Sequence, residues 1–162
     1  MTSKSILDTI AIYASALEYV SIQSRNDKKL IMRVVKRNGG ELKYVGIQLR
    51  NDKEVVMEAV KQNGYALKYA CVKLKNDKKI VMIAFKSNRL SFNYASSSLK
   101  NDREFVISIV KQDGIVLKFA SFELRSDPKL ILLALQTGEY VDNITILKYY
   151  STKDNNIWMR LV

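Results

Sequence analysis

The sequence predicts an all-α fold, an α-solenoid of tandem 25-residue helix-turn-helix repeats with atypical terminal caps. Three observations carry that expectation. The dipeptide Asn-Asp stands at Asn26-Asp27, Asn51-Asp52, Asn76-Asp77 and Asn101-Asp102, and Ser126-Asp127 follows in register. Whole columns keep the same period: Lys36, Lys61, Lys86 and Lys111; Tyr19, Tyr44, Tyr69, Tyr94 and Phe119; Leu49, Leu74, Leu99 and Leu124. Agreement across so many columns is the signature of repeat architecture. Within each period the apolar spacing is helical, and proline is almost absent, which argues against strands and turn-rich sheets.

One period, Asp52 to Leu74, shows how the unit is built. Asp52 is placed to accept hydrogen bonds from the unpaired amides of the next turn, as an N-cap does. Val55, Val56, Ala59 and Val60 then mark one face of a helix. Asn63-Gly64 is expected to stop it, with the glycine left-handed just past the helix end. Leu67, Ala70, Cys71 and Leu74 have the spacing of a second short helix, and Lys75-Asn76 turns into the next cap, Asp77. Helices this short are marginal alone, so each pair must be ordered by stacking on its neighbours. The carboxylates in the Asp27, Asp52, Asp77, Asp102 and Asp127 column are therefore caps, spread at one per unit, rather than a converging catalytic pair.

The register sets the domain organisation, a single repeat domain over 1–162. Residues 1–25 read as a degenerate first unit, with Thr2 at the cap position, and 26–125 as four regular units. Residues 126–155 form a final unit lengthened by about five residues within Gly138 to Ile146. Residues 156–162, with Trp158 and Met159, read as a C-terminal cap, since an end unit has only one neighbour to bury against.

The unit from Asn51 to Ala70 resembles the repeats of the domain-of-unknown-function family numbered 4116, and the resemblance runs over roughly residues 14–136. That family has no assigned activity. Its arrays imply an interaction module, working in a host cell if the source is a virus or an intracellular bacterium. Asn88-Arg89 replaces Asn-Gly in the third regular unit, so a weaker helix stop and a local change of curvature are expected there.

Chemistry is sparse. The chain has no histidine and one cysteine, Cys71, which excludes a Cys/His metal site, a Cys-His dyad and an internal disulfide. No glycine-rich phosphate loop appears. No catalytic, metal or cofactor residues are therefore assigned, and no enzymatic activity is expected. Cys71 shares its column with Ser21, Gly46, Ser96 and Ser121, as a small residue at a tight contact would. The aromatic column offers a stacking ladder for bases, but Phe119 dispenses with the hydroxyl and packing explains the column more simply. No apolar run approaches the length of a membrane span, and the N-terminus lacks a secretory signal, so a cytoplasmic or other reducing compartment is expected.

Charge gives the functional lead. The formal net charge is +11, and all of the excess lies in residues 26–100, where successive units carry +5, +2 and +4. Lysines and arginines in the Lys36 and Arg25 columns offset helix dipoles at C-termini. Lys28, Lys53, Lys78 and Arg103 recur in every regular unit, the neutral one included. The excess comes instead from Lys29, Arg33, Arg37, Lys79 and Arg89, the residues expected to meet an anionic partner. The reading is a scaffold that binds a protein or peptide of acidic character. The alternative is weak, sequence-nonspecific nucleic-acid binding through the same patch.

Overall fold

A computed structural model describes residues 17–137 of the chain, and every described element is helical. The expected cap at Thr2, the lengthened stretch Gly138 to Ile146 and the C-terminal cap with Trp158 and Met159 lie outside these residues. Five longer helices mark the repeats: α1 (Lys28–Arg37), α2 (Lys53–Gln62), α3 (Lys78–Ser87), α4 (Arg103–Val110) and α5 (Pro128–Gln136). Each begins where the aspartate column said it should. The side chains of Asp27, Asp52, Asp77 and Asp127 each accept two backbone amides of the following turn, and that of Asp102 accepts the Phe105 amide. The buried face of α2 is Val55, Val56, Ala59 and Val60, as the apolar spacing predicts.

The second helix of the unit is not one helix. Gly64–Tyr69 forms a 3-10 segment, Ala70 and Cys71 are extended, and Val72–Lys75 makes a single α-turn. Burial of Gly64, Ala66 and Leu67 follows the three-residue turn, in which positions i and i+3 share a face. The extended corner has a use. The Cys71 amide donates to the Arg50 carbonyl one repeat earlier at 3.1 Å, and Gly46 to Arg25 and Ser96 to Lys75 repeat the bond at 3.0 and 2.9 Å. A continuous α-helix would spend that amide on its own turn. The same corner in the later residues donates from Ser121 to Lys100 at 2.8 Å.

The chain divides into two compact units, residues 1–96 and 97–162. In the first, α2 packs between α1 and α3 to make one row. The 3-10 segments Gly39–Tyr44, Gly64–Tyr69 and Arg89–Tyr94 pack on one another to make a second row against it. The core, with Ile31, Val35, Leu42, Val56, Leu67, Val81 and Phe92, lies between the rows. In the second unit, α4 and α5 hold the 3-10 segment Gly114–Phe119 in the same way. Within each unit this is the layered stacking of an α-solenoid, in which neighbouring repeats complete one another's core.

Glycine does a different job from the one its spacing suggested. Helices α1, α2 and α3 end at an asparagine with extended backbone, whose side chain accepts the amide two residues on: Asn38 from Gly40, Asn63 from Tyr65 and Asn88 from Leu90; α4 ends at Lys111, and Asp113 beyond it accepts from Ile115 in the same way. The stop therefore survives at Asn88-Arg89 without glycine. None of Gly39, Gly64 and Gly114 has a left-handed backbone. Each instead lies against the next long helix: an added Cβ would stand 2.1 Å from the Ala59 carbonyl oxygen, 2.3 Å from that of Ala84 and 2.2 Å from that of Ala134. Space, not backbone freedom, selects glycine here.

Candidate functional site

Lys29, Arg33 and Arg37 are four residues apart along α1, so at about 100° per residue they fall on one face. Lys36 joins them within an arc of roughly 100°. All four are exposed, and α1 contains no acidic residue. Lys36, assigned by its column to the helix dipole, thus belongs to the cluster, and summing charge by repeat obscured this.

Lys79 and Arg89 do not join it. Lys79 holds the Lys29 position two repeats on, in α3, and α2 lies between. At the positions of Lys29 and Arg33, α2 carries Glu54 and Glu58. Arg89 opens the 3-10 segment Arg89–Tyr94 and so belongs to the other row. The basic excess of residues 26–100 is therefore broken by an acidic rung rather than pooled.

The recurring cations at the helix starts are engaged. Lys28 reaches Asp52 and Glu54 of the next repeat, both at 2.8 Å, and Lys53 reaches Asp77 at 2.5 Å. Arg103 pairs with Asp127 in the same register. Burial pushes the Asp52 carboxyl up, but hydrogen bonds from Lys28 and from the Val55 and Glu54 amides outweigh it and hold the group below its ordinary range. The aspartates thus cap one helix and tie it to the previous repeat with a single carboxylate. In the Arg25 column the Arg25 guanidinium donates to the carbonyls of Val20 and Glu18, and burial pulls the ammonium groups of Lys75 and Lys100 down.

The aromatic column does not form an open stacking ladder beyond Tyr19, which is 85% exposed. Tyr44, Tyr69, Tyr94 and Phe119 are half-buried. Lys43, Lys68 and Lys118 lie over the rings that follow them, 4.3, 5.8 and 5.0 Å from the centroids. The Tyr44 hydroxyl donates to Glu18 at 2.6 Å. The small-residue column is likewise structural: the Cys71 thiol and the Ser96 hydroxyl both donate to the asparagine one repeat back, Asn51 and Asn76, and Ser121 donates to Asn101.

One buried ionisable group stands apart. Glu41 sits in the core row, 4% exposed, where the neighbouring repeats place Ala66 and Ser91. Burial raises its carboxyl, and among the described residues it accepts the Leu17 amide at 3.3 Å. A raised carboxyl favours folding where it is protonated and opposes it as pH climbs past the ordinary range of about 4. Glu41→Gln is thus expected to stabilise the fold by about 1 kcal/mol at pH 7 and to make little difference near pH 4. Thermal melts of both proteins at the two pH values check this, and an equal effect at both would remove ionisation as the cause.

Among the described residues no group of three His, Cys, Asp or Glu side chains is gathered as a metal would require, and no helix is long and apolar enough to cross a membrane. With this geometry in place the comparison with protein families is direct. The family model "Domain of unknown function (DUF4116)" matches residues 27–75, 52–100 and 102–154. The chain belongs to this family. The first two DUF4116 matches are offset by one 25-residue period, so the family unit is a pair of repeats read twice. The third DUF4116 match extends past the regular period, across the stretch where the register slips. No curated protein and no solved structure matches the chain.

Proposed function

We propose that this DUF4116 chain is a non-catalytic interaction scaffold, acting in a reducing intracellular compartment, whose α1 face binds an acidic protein or peptide. The supporting observation is the gathering of Lys29, Arg33, Lys36 and Arg37 on one exposed face of a helix that carries no acidic residue. A helix face of this kind complements a carboxylate-rich surface and raises its rate of encounter. Lys79 and Arg89 contribute to the general positive field rather than to the contact.

The test is retention of partners from source extract by the immobilised chain, with and without nuclease, against the variant Lys29→Glu/Arg33→Glu/Arg37→Glu. A protein partner held at low salt, released at moderate salt and lost in the variant is the expected result. Recovery of nuclease-sensitive material with a steep salt dependence would instead favour nucleic-acid binding. Equal retention by the variant would refute both.

A further inference from the structure

Each short turn between the repeats begins with a residue that the fold leaves outside. Ile22, Ile47 and Val72 occupy this register position in the first unit and are 77%, 72% and 79% exposed. In the second unit Ser97 breaks the apolar run, and Phe122 then holds the position at 75% exposure. A single exposed aliphatic residue calls for no explanation, but the same position kept apolar and uncovered through the three successive repeats of the first unit does. The turn's stability does not depend on it, since Leu74 supplies the buried contact of Val72–Lys75.

Between Ile47 and Val72 lies a groove of about 440 Å³, completed by Gln48, Asn51, Cys71 and Lys73. It adjoins a second groove of about 480 Å³ that shares Asn51 and Lys73 and adds Lys53, Leu74, Asn76 and Asp77. The two walls suit an aliphatic side chain. Asn51 gives its carbonyl to the Cys71 thiol, so its amide hydrogens are what it offers to a peptide carbonyl. In the second groove Lys53 is matched by Asp77, whereas Lys73 has no acidic partner among the described residues. The unmatched charge on this face is positive.

We infer that this face docks an extended acidic segment of a partner protein, one that sets an apolar residue between successive turns and a carboxylate against Lys73. Packed repeats stand about 8–10 Å apart. A polyproline II chain rises about 3.1 Å per residue and returns to the same face every three residues, a repeat of about 9 Å. The segment therefore carries its apolar residues at every third position. This site rests, like the α1 proposal, on the reading that the chain binds an acidic protein partner, and it uses none of the α1 cations.

The experiment is a fluorescence-anisotropy titration of the intact chain with a labelled peptide of three Leu-Pro-Glu triplets. Saturable binding is expected, weakened at least tenfold by Ile47→Glu/Val72→Glu, several-fold by Lys73→Glu, and left unchanged by Arg33→Glu/Arg37→Glu. Unchanged melting temperatures will show that the exposed substitutions leave the fold intact. An Ala-Pro-Glu peptide is expected to bind at least tenfold less tightly. The inference is overturned by absence of saturable binding, by indifference to the Ile47/Val72 change, or by equal affinity for Leu-Pro-Lys triplets or oligouridylate. The α1 proposal fails separately, on the extract experiment, because the charge reversals there leave this groove untouched.

Discussion

Gly64→Val is expected to cost the fold about 3 kcal/mol or more, among the larger penalties available to a single substitution. The Gly64 amide donates to the Ser87 hydroxyl at 3.0 Å, which draws the start of one 3-10 segment against the end of α3. A Cβ placed there stands 2.3 Å from the Ala84 carbonyl oxygen and 2.9 Å from the Asn88 amide nitrogen. Both obstacles are backbone, and neither can turn aside as a side chain would. The rows must part, and parting them loosens the core that Leu67 and Val81 fill. Denaturant unfolding measures the change. Gly40→Ala is the control: its nearest neighbour is the Asn38 side-chain oxygen at 3.1 Å, so a loss under about 1 kcal/mol is expected. Gly64→Asn separates the two explanations for the glycine. Asparagine enters the left-handed region more readily than other residues, so a backbone role predicts a mild effect. A spatial role predicts a loss close to that of valine, and a well-tolerated asparagine would defeat it.

What the sequence disclosed and what it hid follow from the same distinction between a chain and its neighbours. The period, the aspartate caps and the buried face of α2 depend on residues a few positions apart, and a single unit displays them. The break at Ala70-Cys71 was hidden because Leu67, Ala70, Cys71 and Leu74 have the spacing of one α-helix. A 3-10 segment, an extended corner and an α-turn bury the same four positions to different degrees. What decides between them is the Cys71 amide bond to the Arg50 carbonyl, and that bond lies between repeats. The glycine column misled for the same reason: its partner is an alanine carbonyl one repeat away. In the candidate site, Lys29, Arg33 and Arg37 were legible because one helix carries them all. Lys79 and Arg89 were grouped with them by counting charge per unit, whereas charge acts by face, and α2 sets Glu54 and Glu58 between. The exposed column Ile22, Ile47 and Val72 had a signal in the sequence, an apolar residue recurring every 25 positions, but periodicity alone does not distinguish an outer stripe from a core one.

Asp77→Ala is expected to cost about 2 kcal/mol, because one carboxylate serves two repeats. One oxygen accepts the Lys79 and Ile80 amides at 2.9 and 3.2 Å and so caps α3. The other takes the Lys53 ammonium of the preceding repeat at 2.5 Å. The cap carries the larger share, about 1 kcal/mol or more, and the partly exposed ion pair less than about 1 kcal/mol. Asp77→Asn keeps an oxygen for the cap and is expected to lose under half as much, and Lys53→Met removes the tie alone. Acid links these variants. Burial pushes the Asp77 carboxyl up, but the bonds from Lys53 and from the Ile80 and Lys79 amides hold it below its ordinary value; in the second unit the Arg103 guanidinium chiefly does the same for Asp127. A depressed carboxyl stabilises the fold fully above its unfolded value of about 4, and that stability is lost as pH falls through the lower folded value. Melting temperatures measured from pH 7 down to about 2 are expected to fall more steeply for the natural chain than for Asp77→Asn. Parallel curves would show that the aspartate acts as a neutral hydrogen-bond acceptor, and equal losses for alanine and asparagine would show that the tie, not the cap, holds the repeats together.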